Sequence, residues 1–358
     1  MQRQPGQTPQ QAARCTACGD DVAGPLNATR RGRVCDSCIE NYATCGECCS
    51  MFHSDDMDYN EDDDCYYCSS CSSDGHYFNN NHPPITSETF DVIRSRRRYG
   101  VELESSSAHV RKSQTVFNAV SDGSIEGPEF VSPILQGDEG FKHIKKLCNL
   151  NVEADESCGF HLHIDATDLT PARVAKIARA YKMIEGYLFE MVDPERRCNQ
   201  YCRPIETNFR GVRDEASFLR AVYGTNDKGE AGAKYHHKRY EFFNSHSYFH
   251  RGTVEIRLHH GTFDADEIRD WINLNLDLFE LCGDPSFHVS KNTAETLLAE
   301  LVRRYPKTME IIKDRLFLPC RERFSDSYPN LMRTDDLITY LEKSLKQTAV
   351  KAERAMVA

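Results

Sequence analysis

At 358 residues the chain can bury the core of one large domain or two smaller ones, which excludes disorder throughout. Hydrophobic residues make up 39% and charged ones 28%, with mean hydropathy −0.61, and no apolar run approaches the roughly 18 residues of a membrane span. The balance of 44 basic and 55 acidic side chains leaves a net charge of −11, which argues against nucleic acid and anionic membrane as broad partners while leaving room for a local basic site.

The N-terminal stretch MQRQPGQTPQQAARC lacks the apolar core of a signal peptide, so the expected location is cytoplasmic. Of the 16 cysteines, ten lie between Cys15 and Cys71, and in a reducing compartment that density points to metal rather than disulfides. The pattern is Cys15-x2-Cys18, Cys35-x2-Cys38, Cys45-x2-Cys48 and Cys65-x2-Cys68, with the second half repeating the first at an offset of 30. Two such knuckles supply four thiolates, the closed tetrahedral set of a structural zinc site, so two Zn²⁺ ions are expected. Spacing leaves open whether the knuckles pair in sequence or interleave. It also leaves Cys68-x2-Cys71 available as the last knuckle, with Cys49 and His53 as spare ligands, although the equal gaps favour Cys65 and Cys68. Residues 54–64, with seven carboxylates, lack the glycine and terminal glutamate of a calcium loop and read as a solvated acidic loop. We expect a Cys-rich module over 1–75 and a Ser-, Asn- and Pro-rich linker over 76–98. The run Arg94, Arg96, Arg97 and Arg98 closing that linker reads as a solvated edge.

Beyond the linker, three short strands alternate so that ionisable side chains share one face. They are Val101–Glu104 with Glu102 and Glu104, Gly159–Asp165 with His161, His163 and Asp165, and Thr253–His259 with Glu255, Arg257 and His259. Adjacent carboxylates on one face repel unless a cation bridges them, and hard oxygen ligands suit Mg²⁺ or Mn²⁺ holding phosphates. Glu129, at the start of a further strand after the turn at Asp122–Ser124, is another oxygen donor. Thr170 and Pro171 open a helix reaching Val192, with Val174, Ile177, Ala178, Tyr181, Ile184 and Leu188 as its buried stripe. A second amphipathic helix runs from Asp264 to Leu281, and Thr293 onward is mainly helical. Without a regular βαβ repeat, the expected class is α+β with a mainly antiparallel sheet and packed helices.

Taken in order, the pieces GVELE, SDGSIEGPEFVSP, SCGFHLHID, RRCNQYCRP, KRYEFFN and GTVEIRLHHGT resemble the glutamine synthetase-like carboxylate-amine ligases, and more closely the phage and bacterial amidoligase family. The resemblance implies a glutamine synthetase-like catalytic domain over 99–290 followed by a helical extension over 291–358. It implies Glu102, Glu104, Glu129, His161 and Glu255 as ligands of two Mg²⁺ or Mn²⁺ ions, with His163 and Arg239 on ATP. Arg257, with Glu255, would stabilise the transferring phosphoryl group, and Arg203 would hold phosphate or a substrate carboxylate. The implied reaction is ATP-dependent amide formation through an acyl phosphate, with a carboxylate and an amine, a peptide or protein among them, as substrates. In glutamine synthetase the Asp-Gly-Ser turn precedes the Glu-x-Glu strand, whereas Asp122 follows it, so no amine-binding role passes to Asp122. Appended to such a domain, the zinc module would present a protein or peptide substrate, or else stabilise the chain or mediate assembly. The competing reading is a zinc-stabilised protein- or nucleic-acid-binding adaptor with an inactive ligase-like domain.

Overall fold

The computed structural model describes residues 13–30, 32–46, 49–60, 65–68, 78–226, 228–233, 236–316, 328 and 330–357. Cys48 and Cys71 lie outside the described residues, as does the acidic stretch 61–64. The chain divides into two compact units, one of residues 1–78 with 110–114 and a larger one of 79–109 with 115–358.

The smaller unit is a series of short antiparallel hairpins: Ala13–Arg14 with Asp21–Val22, Asn27–Thr29 with Gly32–Val34, Tyr42–Thr44 with Met51–His53, and Met57–Asn60 with Cys65–Cys68. Among its described residues are two small buried clusters, Cys15, Val34 and Cys35 in one and Cys45, Tyr67 and Cys68 in the other. Such small clusters, even with Val22, Leu26, Phe52 and Met57 packed against them, bury little apolar surface, and a metal held by the cysteines would add to the folding energy. Arg111 belongs to this unit, its guanidinium 4.3 Å above the Tyr67 ring.

The larger unit is mixed α and β, built on one antiparallel sheet; its elements are numbered within it. The strands are β1 (Tyr99–Glu104), β2 (Asn118–Ser121), β3 (Pro128–Val131), β4 (Gly159–Asp165), β5 (Phe243–Asn244) and β6 (Thr253–His260), in the order β2-β3-β1-β4-β6-β5. Every pairing is antiparallel. Alternation turns Val101, Leu103, Phe160, Leu162, Ile164, Val254 and Ile256 to one side, all buried.

Two long helices belong with that apolar layer. Helix α2 (Pro171–Glu190), after α1 (Gly137–Cys148), starts where Thr170 accepts the Arg173 amide, and its expected stripe is buried. Helix α5 (Ala265–Gly283) follows α3 (Glu215–Tyr223) and α4 (His246–Arg251), and Asp264 caps it by accepting from Asp266 and Glu267. The Tyr181 ring of α2 lies 4.9 Å from Phe243 of β5, and Trp271 of α5 lies 4.8 Å from His259 of β6. Tyr181 also donates from its hydroxyl to the Asn275 carbonyl, which joins the two helices.

Residues 79–98, expected as a linker, are part of this unit. Ile85 bridges to Leu135, Ile93 is fully buried, and Asp138 accepts the amides of Asp91, Val92 and Ile93 at 3.0, 2.8 and 3.0 Å. In the arginine run, Arg94 is paired with Asp277, and Arg97 with Asp168 and Glu280. The C-terminal α6 (Ala294–Arg304), α7 (Thr308–Leu316) and α8 (Thr334–Val357) also join: Leu297, Leu301, Ile312, Leu337 and Leu341 are buried, and Thr308 donates to Asp277. No described helix is long and apolar enough to cross a membrane.

Candidate active site

Strand register assembles the polar face of the sheet. His161 stands opposite Glu102, Glu129 opposite Glu104, and His163 opposite Glu255. Alternation then puts Glu102, Glu104, Glu129, His161, His163 and Glu255 together on the side away from the apolar layer. His161 sits in the middle. Its Nδ1 lies 3.2 Å from Glu102, 3.7 Å from Glu255 and 3.9 Å from Glu129, and its Nε2 lies 3.5 Å from Glu104. His163 Nε2 is 3.2 Å from Glu102 and 3.9 Å from Glu255, while its Nδ1 meets the Thr253 hydroxyl at 3.1 Å.

Such crowding shows in the ionisation of the carboxyls. Burial, followed by the charges of Glu102 and Glu104, pushes Glu129 up to about 9. Burial alone would also raise Glu102, but His163 and His161 outweigh it and hold it well below the usual carboxylate range. Glu255 falls to about 2 because Arg257 and then His163 overcome its burial.

The donors form three overlapping triads, each with ligand atoms within 4.8 Å of one another: Glu102–Glu129–His161, Glu104–Asp122–Glu129 and Glu102–His163–Glu255. His163 Nε2 is buried and, although Glu102 lies 3.2 Å away, that contact lacks hydrogen-bond geometry. Carboxylate oxygens with one or two imidazoles fit Mg²⁺ or Mn²⁺, and cations there would offset the burial and the neighbouring carboxylate charge that raise Glu129.

The described residues show three participants that sequence reasoning missed. Asp122 lies two positions beyond Val120, which stands opposite Glu129, so its carboxylate continues the same face. Asn244 stands opposite Glu255 and donates to its Oε2 at 2.6 Å. Arg251 donates to Glu102 Oε1 at 2.8 Å from the last turn of α4, whose cap Gly252 has φ of +71°, the left-handed conformation that lets the chain reverse into β6. Asp122 and Asn244 lie inside the quoted pieces and differ only in lacking a repeated spacing; Arg251 had no sequence signal beyond the glycine after it.

Arg257 donates to Glu255 and, through Nε, to the Tyr201 carbonyl at 3.1 Å. Arg239 shares a small cleft with Glu102, Asn244, His250 and Arg251. Arg203 is not brought to the carboxylates; its guanidinium donates to the His237 carbonyl. His259 is on the opposite side from Glu255 and Arg257. A bulge between Phe160 and Leu162 makes His259 pair with Phe160, so the alternation expected through β6 breaks. There His259 is fully buried against Trp271, and with Glu267 it accepts from Arg315, which puts a fixed cation where the donors of His259, His260 and Glu267 converge. The short helix Lys228–Gly232 lies ahead of Arg239, with Ala231 buried.

Gly159 is required where it is. Its amide donates to Glu104, and an added Cβ would lie 2.9 Å from an Arg196 nitrogen and 3.2 Å from both Glu104 Oε2 and His161 Nε2. Beside the carboxylates opens a pocket of 290 Å³ lined by Arg98, Gly100, Ile134, His163, Arg251 and Thr253, among others, close to the lower size for a small-molecule site.

The sulfurs of Cys15, Cys18, Cys35 and Cys38 in the smaller unit converge within 4.8 Å, so these knuckles pair in sequence order. Cys18 and Cys35 Sγ are 3.9 Å apart, against about 3.8 Å for two thiolates on a tetrahedral zinc. Amides of Cys18 and Cys35 pull the Cys15 thiol down to about 6, favouring the thiolate a metal needs. Cys45, Cys65 and Cys68 do not form a three-donor cluster among the described residues.

Residues 94–279, just over half of the chain, match the model of the family described as "Putative amidoligase enzyme". The chain belongs to this amidoligase family. The match spans β1 through α5, so every donor of the three triads in this amidoligase lies inside it. No curated protein matches the chain. Among solved structures, a bifunctional glutathione synthetase from Pasteurella multocida aligns with 13% identity and a TM-score of 0.37 over 71% of this chain and 52% of the synthetase. The amidoligase thus spans about half the length of that enzyme, a likeness too low to carry fold or function across.

Proposed function

We propose that the larger unit is an ATP-dependent carboxylate-amine ligase of the glutamine synthetase-like type, working with two divalent cations. The observation that carries this reading is the convergence of four glutamates, two histidines, Asp122 and the cationic Arg257 on one sheet face inside the amidoligase match. A hydrolase using one metal would need three donors and an open position; it leaves the other carboxylates and Arg257 without a task.

In this reading Glu104, Asp122 and Glu129 would hold one cation, and Glu102 and His161, with Glu255 3.7 Å from the same imidazole nitrogen, would hold the other. Bound Mg²⁺ or Mn²⁺ would neutralise phosphate charge and polarise the phosphorus–oxygen bond. A substrate carboxylate oxygen attacks the γ-phosphorus of ATP, the bond to the β-phosphate oxygen breaks, and ADP leaves. Arg257, held in place by Glu255 and the Tyr201 carbonyl, faces the negative charge spread over the phosphoryl oxygens, and His163 and Arg239 bind neighbouring phosphates. The amine then attacks the acyl carbon, inorganic phosphate departs, and the amine's proton is lost. Arg251 stands at the pocket's edge, suited to orient an anionic substrate, a task for which Arg203 is turned away. The smaller unit's four thiolates hold zinc and serve to present a peptide or protein substrate.

The test is release of ADP and phosphate with Mg²⁺ or Mn²⁺ across a panel of carboxylates and amines, using wild type and Glu102→Ala. Release that depends on one carboxylate-amine pair and is lost in the variant supports the ligase. ATP binding undetectable at millimolar nucleotide in the metal-supplemented wild type would sink it.

A further inference from the structure

The two halves of the Cys-rich unit repeat one another in backbone as well as in spacing, and the repeat changes register part-way. In the first half the Cys15 amide donates to the Asp20 carbonyl and the Gly19 amide returns to the Cys15 carbonyl; in the second the Cys45 amide donates to Ser50 and the Cys49 amide returns to Cys45. Each distance agrees within 0.1 Å, at 2.9 and 3.0 Å against 2.9 and 2.9 Å. Gly19 and Cys49 both have left-handed backbones, with φ of +81° and +55°. Over this stretch the offset is 30, as the cysteine spacing implies, and Cys49 occupies a turn rather than a ligand position.

Further along the offset becomes 33. The Thr16 amide donates to the Arg33 carbonyl at 2.9 Å, and its counterpart Gly46 donates to Tyr66 at 2.9 Å. The Cys35 amide donates to Cys15 Sγ at 3.3 Å, and the Cys68 amide donates to Cys45 Sγ at 3.5 Å. The two buried clusters match in the same way, Val34 with Tyr67 and Cys35 with Cys68. Three extra residues therefore enter between 50 and 66, the region of the acidic stretch, and they shift the hairpin that follows.

At the new offset Cys65 corresponds to Gly32. Its side chain has a packing task there. An added Cβ on Gly32 would collide with the Thr16 side chain, and one on Gly46, the counterpart of Thr16, would collide with Cys65 Sγ. One small gap between the two backbones is thus filled from opposite sides, by Thr16 in the first half and by Cys65 in the second.

We infer that a second structural metal site is built on Cys45 and Cys68 and that Cys65 is outside it. The equal sixteen-residue gaps that favour Cys65 are a coincidence of the insertion. The inference rests on the zinc reading of the first cluster, in which Cys15 and Cys35 bear the same sulfur–amide contact as Cys45 and Cys68.

The full-length chain, purified with zinc, should hold about two ions per molecule. Cys65→Ser should keep both, whereas Cys68→Ser should lose about one and Cys68→His, which offers a substitute nitrogen ligand, should restore it. Alkylation of the zinc-loaded wild type followed by peptide mass spectrometry should label Cys65 and spare Cys68, with Cys68 becoming labelled once a chelator has removed the metal. Loss of an ion in Cys65→Ser, or two ions retained in Cys68→Ser, overturns the assignment. A wild type without zinc overturns the zinc reading itself, which separates the two failures.

Discussion

The two units place metal-type donors by opposite means. In the smaller one, Cys15 and Cys18 belong to a single knuckle and their partners Cys35 and Cys38 arrive on the next, so a short chain segment carries the whole set. In the larger one, Glu102, Glu129, His161 and Glu255 come from four strands and meet only because β3, β1, β4 and β6 are neighbours in register. Local sites depend on the metal for their fold, whereas a site laid on a sheet inherits its geometry from a core that exists without the metal.

That contrast can be broken by removing metal. Chelation should unfold the smaller unit, seen as loss of protease resistance in residues 13–68, while the larger unit keeps its circular dichroism and loses only Mg²⁺-dependent activity. Uniform unfolding of both would erase the distinction. Glu102→Ala, which removes a member of two triads, should lower ATP-dependent turnover by at least about 100-fold with zinc content unchanged. Gly159→Ala should lower turnover by a smaller factor and stability by about 1–3 kcal/mol, measured by urea unfolding, because its methyl group has to displace Arg196, Glu104 or His161. Asp138→Ala, remote from the carboxylates, should cost about 1–3 kcal/mol by leaving three amides without their acceptor, and leave turnover per folded molecule unchanged. The smallest effect is expected for His259→Gln: Mn²⁺ affinity should stay within about twofold, since the bulge turns this side chain away from the other ionisable groups. A loss of Mn²⁺ binding there would mean that β6 alternates without a break.

Much of this arrangement was legible in the residues. The helix starts at Thr170 and Asp264 follow from capping chemistry, and the buried stripe of α2 follows from its 3.6-residue period. The glutamates and histidines of the polar face were visible as strand alternation. His259 shows where that logic stops, because a bulge adds one residue to one strand and every position beyond it changes side. Arg251 shows a second boundary: its reach to Glu102 spans 149 positions in the chain and depends on how α4 turns into β6.

The sequence by itself determined which side chains could carry the chemistry, since cysteine spacing, strand alternation and helix periodicity are local properties encoded within a few residues. Only the tertiary structure decided which of them meet. Strand order put Asp122 beside Glu104 and Glu129, a backbone repeat shifted from 30 to 33 positions matched Cys68 to Cys35, and residues 79–98 became part of the larger unit through Asp138. Contacts of this kind depend on the packing of segments distant in sequence, and no local spacing records them.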